Sequence, residues 1–177
     1  MITRRQHIAN VALQLFGEKG FNNTSTQVVA KAAGVSEALI FKHFGSKDQL
    51  LDFIIRNGYQ RIIEHNRGGL LETDALTFIH SVIDLPYKMV QDEPYFWKLQ
   101  YRLADYETAR QQHERFMRPV PARLKVAFAE LGYADPGKET ELLLLLIEAL
   151  WKIEANQPDE HVKDMLQFIK RKYQAQG

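Results

Sequence analysis

The chain has no cysteine, only six prolines in 177 residues, and no apolar run longer than the six residues Leu142 to Ile147. Without thiols there is no disulfide framework, no Cys-ligated zinc or iron–sulfur site and no thiol nucleophile. A run of six is far below the roughly 18 apolar residues that cross a bilayer, so no membrane partner is expected. The first residues, Met1-Ile2-Thr3-Arg4-Arg5-Gln6-His7, lead into a helical pattern and lack the apolar core of a secretory signal, which points to the cytoplasm. Also missing are a Walker loop, a Gly-rich dinucleotide turn, a nucleophile elbow and an H-E-x-x-H helix. No catalytic residue, cofactor or metal is therefore expected. His80 and Asp84 share a helical face at i, i+4, but one such pair seldom makes a metal site. The sequons at Asn22 and Asn23 carry no meaning inside a cell.

Charge is present but unevenly placed. The net +1 divides into six basic against two acidic residues up to Lys47, and seventeen against twenty beyond it. A small basic segment on an acidic body suits a nucleic-acid-binding head, because phosphates dominate such affinity, although +4 is modest. Apolar residues recur at intervals of three and four almost throughout, and alternating strand patterns are missing, so the expected fold is all-α.

Ile8, Val11, Ala12, Leu15 and Phe16 mark a first helix, with Gly17 and Gly20 as its stop. Asn22, Asn23, Thr24 and Ser25 form a turn and offer N-cap oxygens to a two-turn helix carrying Val28, Val29, Ala32 and Ala33 and ending at Gly34. Ser36 caps a third helix through Leu39, Ile40, Phe41 and Phe44 to Gly45. Ser46-Lys47-Asp48-Gln49 has the capping-box form and opens a long fourth helix that Arg67-Gly68-Gly69 closes. Longer helices follow near 74–90, 94–103, 107–131, 138–154 and 159–173, with a kink or break expected at Pro86, Pro119 and Pro121. The expected architecture is an N-terminal three-helix domain over 1–46, joined through the fourth helix to a larger helical bundle over 47–177.

Two short helices joined by Ala33-Gly34-Val35-Ser36 have the form of a helix-turn-helix: Gly34 turns the chain, Val35 packs between the helices and Ser36 caps the helix that enters the groove. Helical hairpins with no link to DNA share that form. The stretch from Thr24 to Leu50, with A-G-V-S at 33–36, aromatic-x-His-Phe at 41–44 and S-K-acidic-x-L at 46–50, resembles the DNA-binding signature of the TetR (tetracycline-repressor) family. With the first helix included, the resemblance covers about residues 5–53. It implies a homodimeric, ligand-responsive transcriptional regulator, commonly a repressor, that binds double-stranded DNA at a palindromic operator.

The same resemblance places Thr26 and Gln27 at phosphate and occasional base contacts, and Ser36, Glu37, Ala38, Leu39, Phe41, Lys42 and His43 on the recognition helix. Lys42, His43 and Lys47 suit phosphate, Lys47 because it opens a helix whose free N–H groups already favour an anion. Leu39 replaces the family's frequent Thr or Ser and suits a thymine methyl; Phe41 lacks the usual Tyr hydroxyl and stands between core and backbone contact. Glu37 disfavours non-specific binding but suits a cytosine amino group. Val28, Val29, Ile40 and Phe44 read as core, and Arg4 and Arg5 as a basic arm or solvated charge.

In the body, the run Leu142–Ile147 requires cover on more than one side, and Val162, Met165, Phe168 and Ile169 give a last amphipathic helix. Leu142, Leu145, Leu146 and those four are the expected homodimer interface, as two such helices from each chain form a four-helix contact, although intramolecular core explains them too. Aromatic residues between 78 and 151 suggest core or a small-molecule cavity. Phe78, Val82, Trp97, Tyr101, Phe116, Phe128 and Trp151 are its expected lining, with Arg102, His113 and Glu148 as polar anchors, for an unknown apolar or aromatic effector. A helical carrier protein with a degenerate DNA-binding head is the alternative reading.

Overall fold

The computed structural model describes residues 2–66, 72–103, 105–157 and 160–174. Those residues form helices and no strand: α1 (Arg4–Lys19), α2 (Thr26–Ala33), α3 (Glu37–Phe44), α4 (Lys47–His65), α5 (Ala75–Asp92), α6 (Pro94–Arg102), α7 (Glu107–Met117), α8 (Pro119–Glu130), α9 (Pro136–Asn156) and α10 (Glu160–Lys172). Side-chain oxygens start the early helices as the sequence predicts. Ser25, Ser36 and Ser46 accept from the N–H groups of Val28, Leu39 and Gln49 at 3.3, 3.3 and 3.1 Å. Thr3 and Gln6 add a reciprocal capping box on α1. The expected stop of the fourth helix at Arg67-Gly68-Gly69 and the expected start of the last at Asp159 lie outside the described residues.

The proline expectation divides three ways. The long helix expected over 107–131 breaks into α7 and α8 at Pro119, which takes a first-turn position where its missing N–H costs nothing. Pro121 falls in that same first turn. Pro86, by contrast, is buried inside α5, which continues through it to Asp92. Gly17 corrects the first helix. It does not stop α1, which runs to Lys19, and it is buried. A Cβ at Gly17 would lie 2.9 Å from the carbonyl oxygen of Tyr95, so this glycine is needed for the close approach of α6 and not as a terminator.

Two compact units result: Met1–Arg61 with Glu93–His113, and Ile62–Asp92 with Glu114–Gly177. The first buries Ile8, Phe16, Val29, Ile40, Leu50, Leu51, Ile55 and Tyr59 together with Phe96, Trp97 and Leu99 of α6. Trp97 meets Tyr59 and Phe96 edge-on at 5.9 and 5.3 Å between ring centres, and His113 Nδ1 lies 3.0 Å from the Tyr59 hydroxyl. The second unit packs α5 against α8, α9 and α10 around Phe78, Val82, Phe128, Leu143, Ile147, Trp151, Val162 and Ile169. His80 Nε2 lies 3.0 Å from the carbonyl oxygen of Tyr173, and Asp84 pairs with Lys170 at 2.6 Å. Both members of the candidate metal pair thus have protein partners, and no group of three metal-binding side chains occurs among the described residues.

Burial, and after it the neighbouring Glu139 charge, hold the Tyr173 phenol well above its ordinary value. Tyr106 in the first unit is raised in the same sense, by burial and then by Asp52 and Asp48. A phenol whose folded value exceeds its unfolded value gives stability that is fully present below the unfolded value of about 10 and is lost as pH rises above it. The unfolding free energy should therefore fall above about pH 10. In denaturant titrations between about pH 9 and 11, Tyr173→Phe should show a shallower fall; an unchanged slope would contradict the assignment.

Candidate nucleic-acid interface

The α2–α3 turn rests on Gly34, whose φ of 63° and ψ of 38° are left-handed. A Cβ there would meet nothing within 4 Å, so the backbone angle and not space demands glycine. The chain is held in the turn by the Gly34 N–H on the carbonyls of Ala30 and Lys31 and by the Val35 N–H on Ala30 at 3.0 Å. His7 fixes α1 to the same place, its Nε2 lying 3.2 Å from the Ala33 carbonyl oxygen.

Val29, Ala30 and Ala33 of α2 and Ile40 and Phe44 of α3 are buried, which leaves the other faces of these two-turn helices outward. Gln27, Ser36, Ala38, Phe41 and Lys42 are exposed, while Thr26, Glu37, Leu39, His43 and Lys47 are half-buried. Phe41, at 46% exposure, stands outside the core. Val28 departs from the core expectation, being 41% exposed. The inward stripe of so short a helix holds only the three residues just named, and Val28 precedes it by one position, about 100° around the axis. It adds an apolar side chain beside Gln27 that periodicity alone assigns to the core.

Four polar side chains are already engaged. The Thr26 hydroxyl donates to Glu37 Oε1, joining the first residue of α2 to the first residue of α3. The Lys47 ammonium lies 4.2 Å from the centre of the Phe21 ring, at the N-terminus of α4. Arg5 is neither a free arm nor simply solvated. Its guanidinium covers the rings of Phe53 at 4.2 Å and Phe44 at 5.3 Å. The aromatic partners are distant in sequence, so spacing carries no signal for this contact.

The candidate ligand residues do not form one group. Phe78, Val82 and Phe116 come together with Ile63, His65, Asn66, Leu85, Lys88, Met89 and Val120 around a cavity of about 180 Å³ within the second unit. Trp151 is fully buried against Phe116, and Phe128 against Tyr133 and Tyr173; neither lines this cavity. Glu148 is exposed on α9. Trp97, Tyr101, Arg102 and His113 belong to the first unit, where Trp97 is core and Arg102 donates to the carbonyl of Glu18 at 3.1 Å. Periodicity marks an aromatic as inward-facing but not toward which neighbours. A larger open groove of about 630 Å³ in the first unit is lined by Gln6, Asn10, Gln14, Asn57 and the Arg61–Glu93 ion pair, together with Ile2, Ala9, Leu13, Phe53, Ile54 and Tyr95. Its carboxamides and openness suit an apolar effector less than the smaller cavity does.

The candidate interface residues also divide. Val162 and Ile169 are buried within their own unit, Leu146 and Met165 are half-buried, and Leu142, Leu145 and Phe168 are 42%, 71% and 57% exposed. Ile153, not foreseen, extends the exposed stripe of α9.

Residues 8–54 match the family model described as "Bacterial regulatory proteins, tetR family". Over 50 residues the chain is 48% identical to the HTH-type transcriptional regulator AcrR of Shigella flexneri, covering 28% of this chain and 23% of that one. Over 101 residues it is 30% identical to the HTH-type transcriptional repressor KstR2 of Rhodococcus jostii, covering 51% and 50%. The chain thus spans half or less of the length of these curated relatives. Among solved structures, the ketosteroid transcriptional regulator KstR2 of Mycobacterium tuberculosis superimposes with a TM-score of 0.79 over 97% of this chain and 95% of that one, at 16% identity. That likeness establishes the fold.

Proposed function

We propose that this chain is a TetR-family, sequence-specific DNA-binding transcriptional regulator, a homodimeric repressor released from its operator by a small apolar or aromatic effector, a reading supported by the match of residues 8–54 to the family model. One observation carries the DNA-binding part: α3, capped by Ser36, presents Ala38, Phe41 and Lys42 outward beside Gln27 of α2 while its other face is core. In this reading residues 1–46 hold the DNA-reading elements and 47–177 the ligand-sensing and dimerising ones. Lys42, His43 and Lys47 contact phosphate; Gln27, Glu37, Ala38 and Leu39 face bases; the regulator works in the cytoplasm.

The test is selection of bound duplexes from a random pool, with Lys42→Ala/Lys47→Ala in parallel. An inverted repeat should be enriched. The double variant should bind that repeat more weakly, and its affinity should fall less steeply with salt, by about 0.9 in the log–log slope for each phosphate that the variant no longer neutralises. Enrichment of nothing at any salt concentration would favour the carrier reading.

The effector reading rests on the 180 Å³ cavity, close to the roughly 150 Å³ of an apolar cavity that accepts benzene. Its fitting ligand is one ring with a short substituent or an aliphatic chain of similar bulk. Val82→Phe, which fills that space, should leave operator affinity within about twofold and abolish release by any single-ring compound that releases the parent protein. Release that persists in the variant would move the effector elsewhere.

A further inference from the structure

We infer that Glu37, held in place by Thr26, makes this protein select a cytosine at one symmetric position of each operator half-site. The inference rests on the operator-binding reading and adds to it which base is read, by which atoms and with what support.

Glu37 is the first residue of α3, and N-terminal residues of a recognition helix are the ones that reach base edges. A carboxylate there has two obstacles: phosphates repel it, and a long side chain loses rotamer freedom when it docks. The structure reduces the second. Thr26 donates its hydroxyl proton to Oε1 of Glu37, so the side chain is ordered before DNA arrives, and both residues are half-buried. Oε2 has no partner among the described residues and is left to accept from a base.

The chemistry of Thr26 follows. A hydroxyl has one proton, and phosphate oxygens only accept. With that proton committed to Glu37, the Thr26 hydroxyl cannot also donate to phosphate, so its side chain positions Glu37 and only its backbone N–H, at the start of α2, is left for a phosphate contact. Its exposed neighbour Gln27 keeps a free amide for DNA.

The choice of base follows from what the major groove displays. A carboxylate can only accept, so it requires an exocyclic amino group, which cytosine offers at N4 and adenine at N6. Adenine presents its N7 acceptor beside that group, which repels the carboxylate. Guanine and thymine oppose it with O6 or O4. Cytosine presents its N4 donor with a C5–H beside it on its own edge, so the only adjacent acceptor is the O6 of the paired guanine, whereas the adenine amino group has an acceptor on both sides.

The test is duplex selection from a random pool with the full-length parent, Glu37→Gln and Thr26→Val. The parent should enrich C at one position per half-site. Glu37→Gln keeps the shape and, with its oxygen still on Thr26, turns Nε2 to the base as a donor, so the same position should change from C to a base that presents an acceptor there. Thr26→Val keeps the bulk and removes the proton, so preference for C should fall about threefold or more there while other positions hold. If the parent enriches a site whose bases are the same in Glu37→Gln, this inference fails and operator binding stands. If the parent enriches no site, both fail.

Discussion

Charging the exposed stripe of the second unit, with Leu145→Arg and Phe168→Arg, is expected to turn the proposed dimer into a monomer and to lower operator affinity by about 100- to 10,000-fold. Leu142, Leu145 and Ile153 follow one another along α9 at helical spacing, and Phe168 of α10 is also open to solvent. Leu143 and Ile147, from the same apolar run, are already buried within the unit. A run that needs cover on two sides has it on one, which supports a second copy as the other. At the centre of such an interface an arginine is desolvated without a partner. Loss of the second copy removes the multivalent gain of two linked DNA-binding heads, about 10² to 10⁴ in affinity. Sedimentation and operator titration check the two effects separately. Because both positions are surface residues, the variant's thermal unfolding should stay close to the parent's at equal protomer concentration, apart from the stabilisation that dimerisation adds. A variant that remains dimeric would remove these helices from the interface.

Gly58→Val is expected to destabilise the first unit by about 3 kcal/mol or more, combining overpacking with a β-branched residue against an immovable ring. A Cβ at Gly58 would stand 2.1 Å from Cε2 of Phe96, a ring that is fully buried and meets Tyr59 edge-on at 5.1 Å. Elsewhere in an exposed helix, replacing glycine by alanine gains up to about 1 kcal/mol from propensity. Here even Gly58→Ala should be destabilising, since the clash exceeds that gain. Phe96→Ala alone should cost about 3–5 kcal/mol through the cavity it leaves. The double variant Gly58→Val/Phe96→Ala should then be more stable than the two single costs added together, by about 1–3 kcal/mol of coupling. Strict additivity in chemical denaturation would mean that Gly58 and Phe96 do not share this contact.

Much of the helix-turn-helix segment is legible in the sequence because its determinants are local. Ser25, Ser36 and Ser46 cap helices within three residues of themselves, and Gly34 answers a backbone angle that its own position requires. The outward face of α3 follows from the inward periodicity of Ile40 and Phe44. Val28 escapes this logic because two turns of helix give too few residues to separate the core stripe from its flank. In the second unit, Phe78, Val82 and Phe116 meet around one cavity, whereas Trp97 and Tyr101 lie in the other unit, although all five look alike in sequence.

Caps, turns and periodicity act over three or four residues, so the all-helical class, the starts of α2, α3 and α4, the Gly34 turn and the resemblance of this segment to the TetR family are readable along the chain. Tertiary structure alone decided that Gly17 and Gly58 admit α6, that Arg5 covers Phe53 and Phe44, that Thr26 binds Glu37 and that α9 leaves Leu142 and Leu145 uncovered. Each of these depends on which residue from a distant part of the chain arrives within a few ångströms. Helical periodicity fixes the direction in which a side chain points; only the packing of one helix on another fixes what it meets.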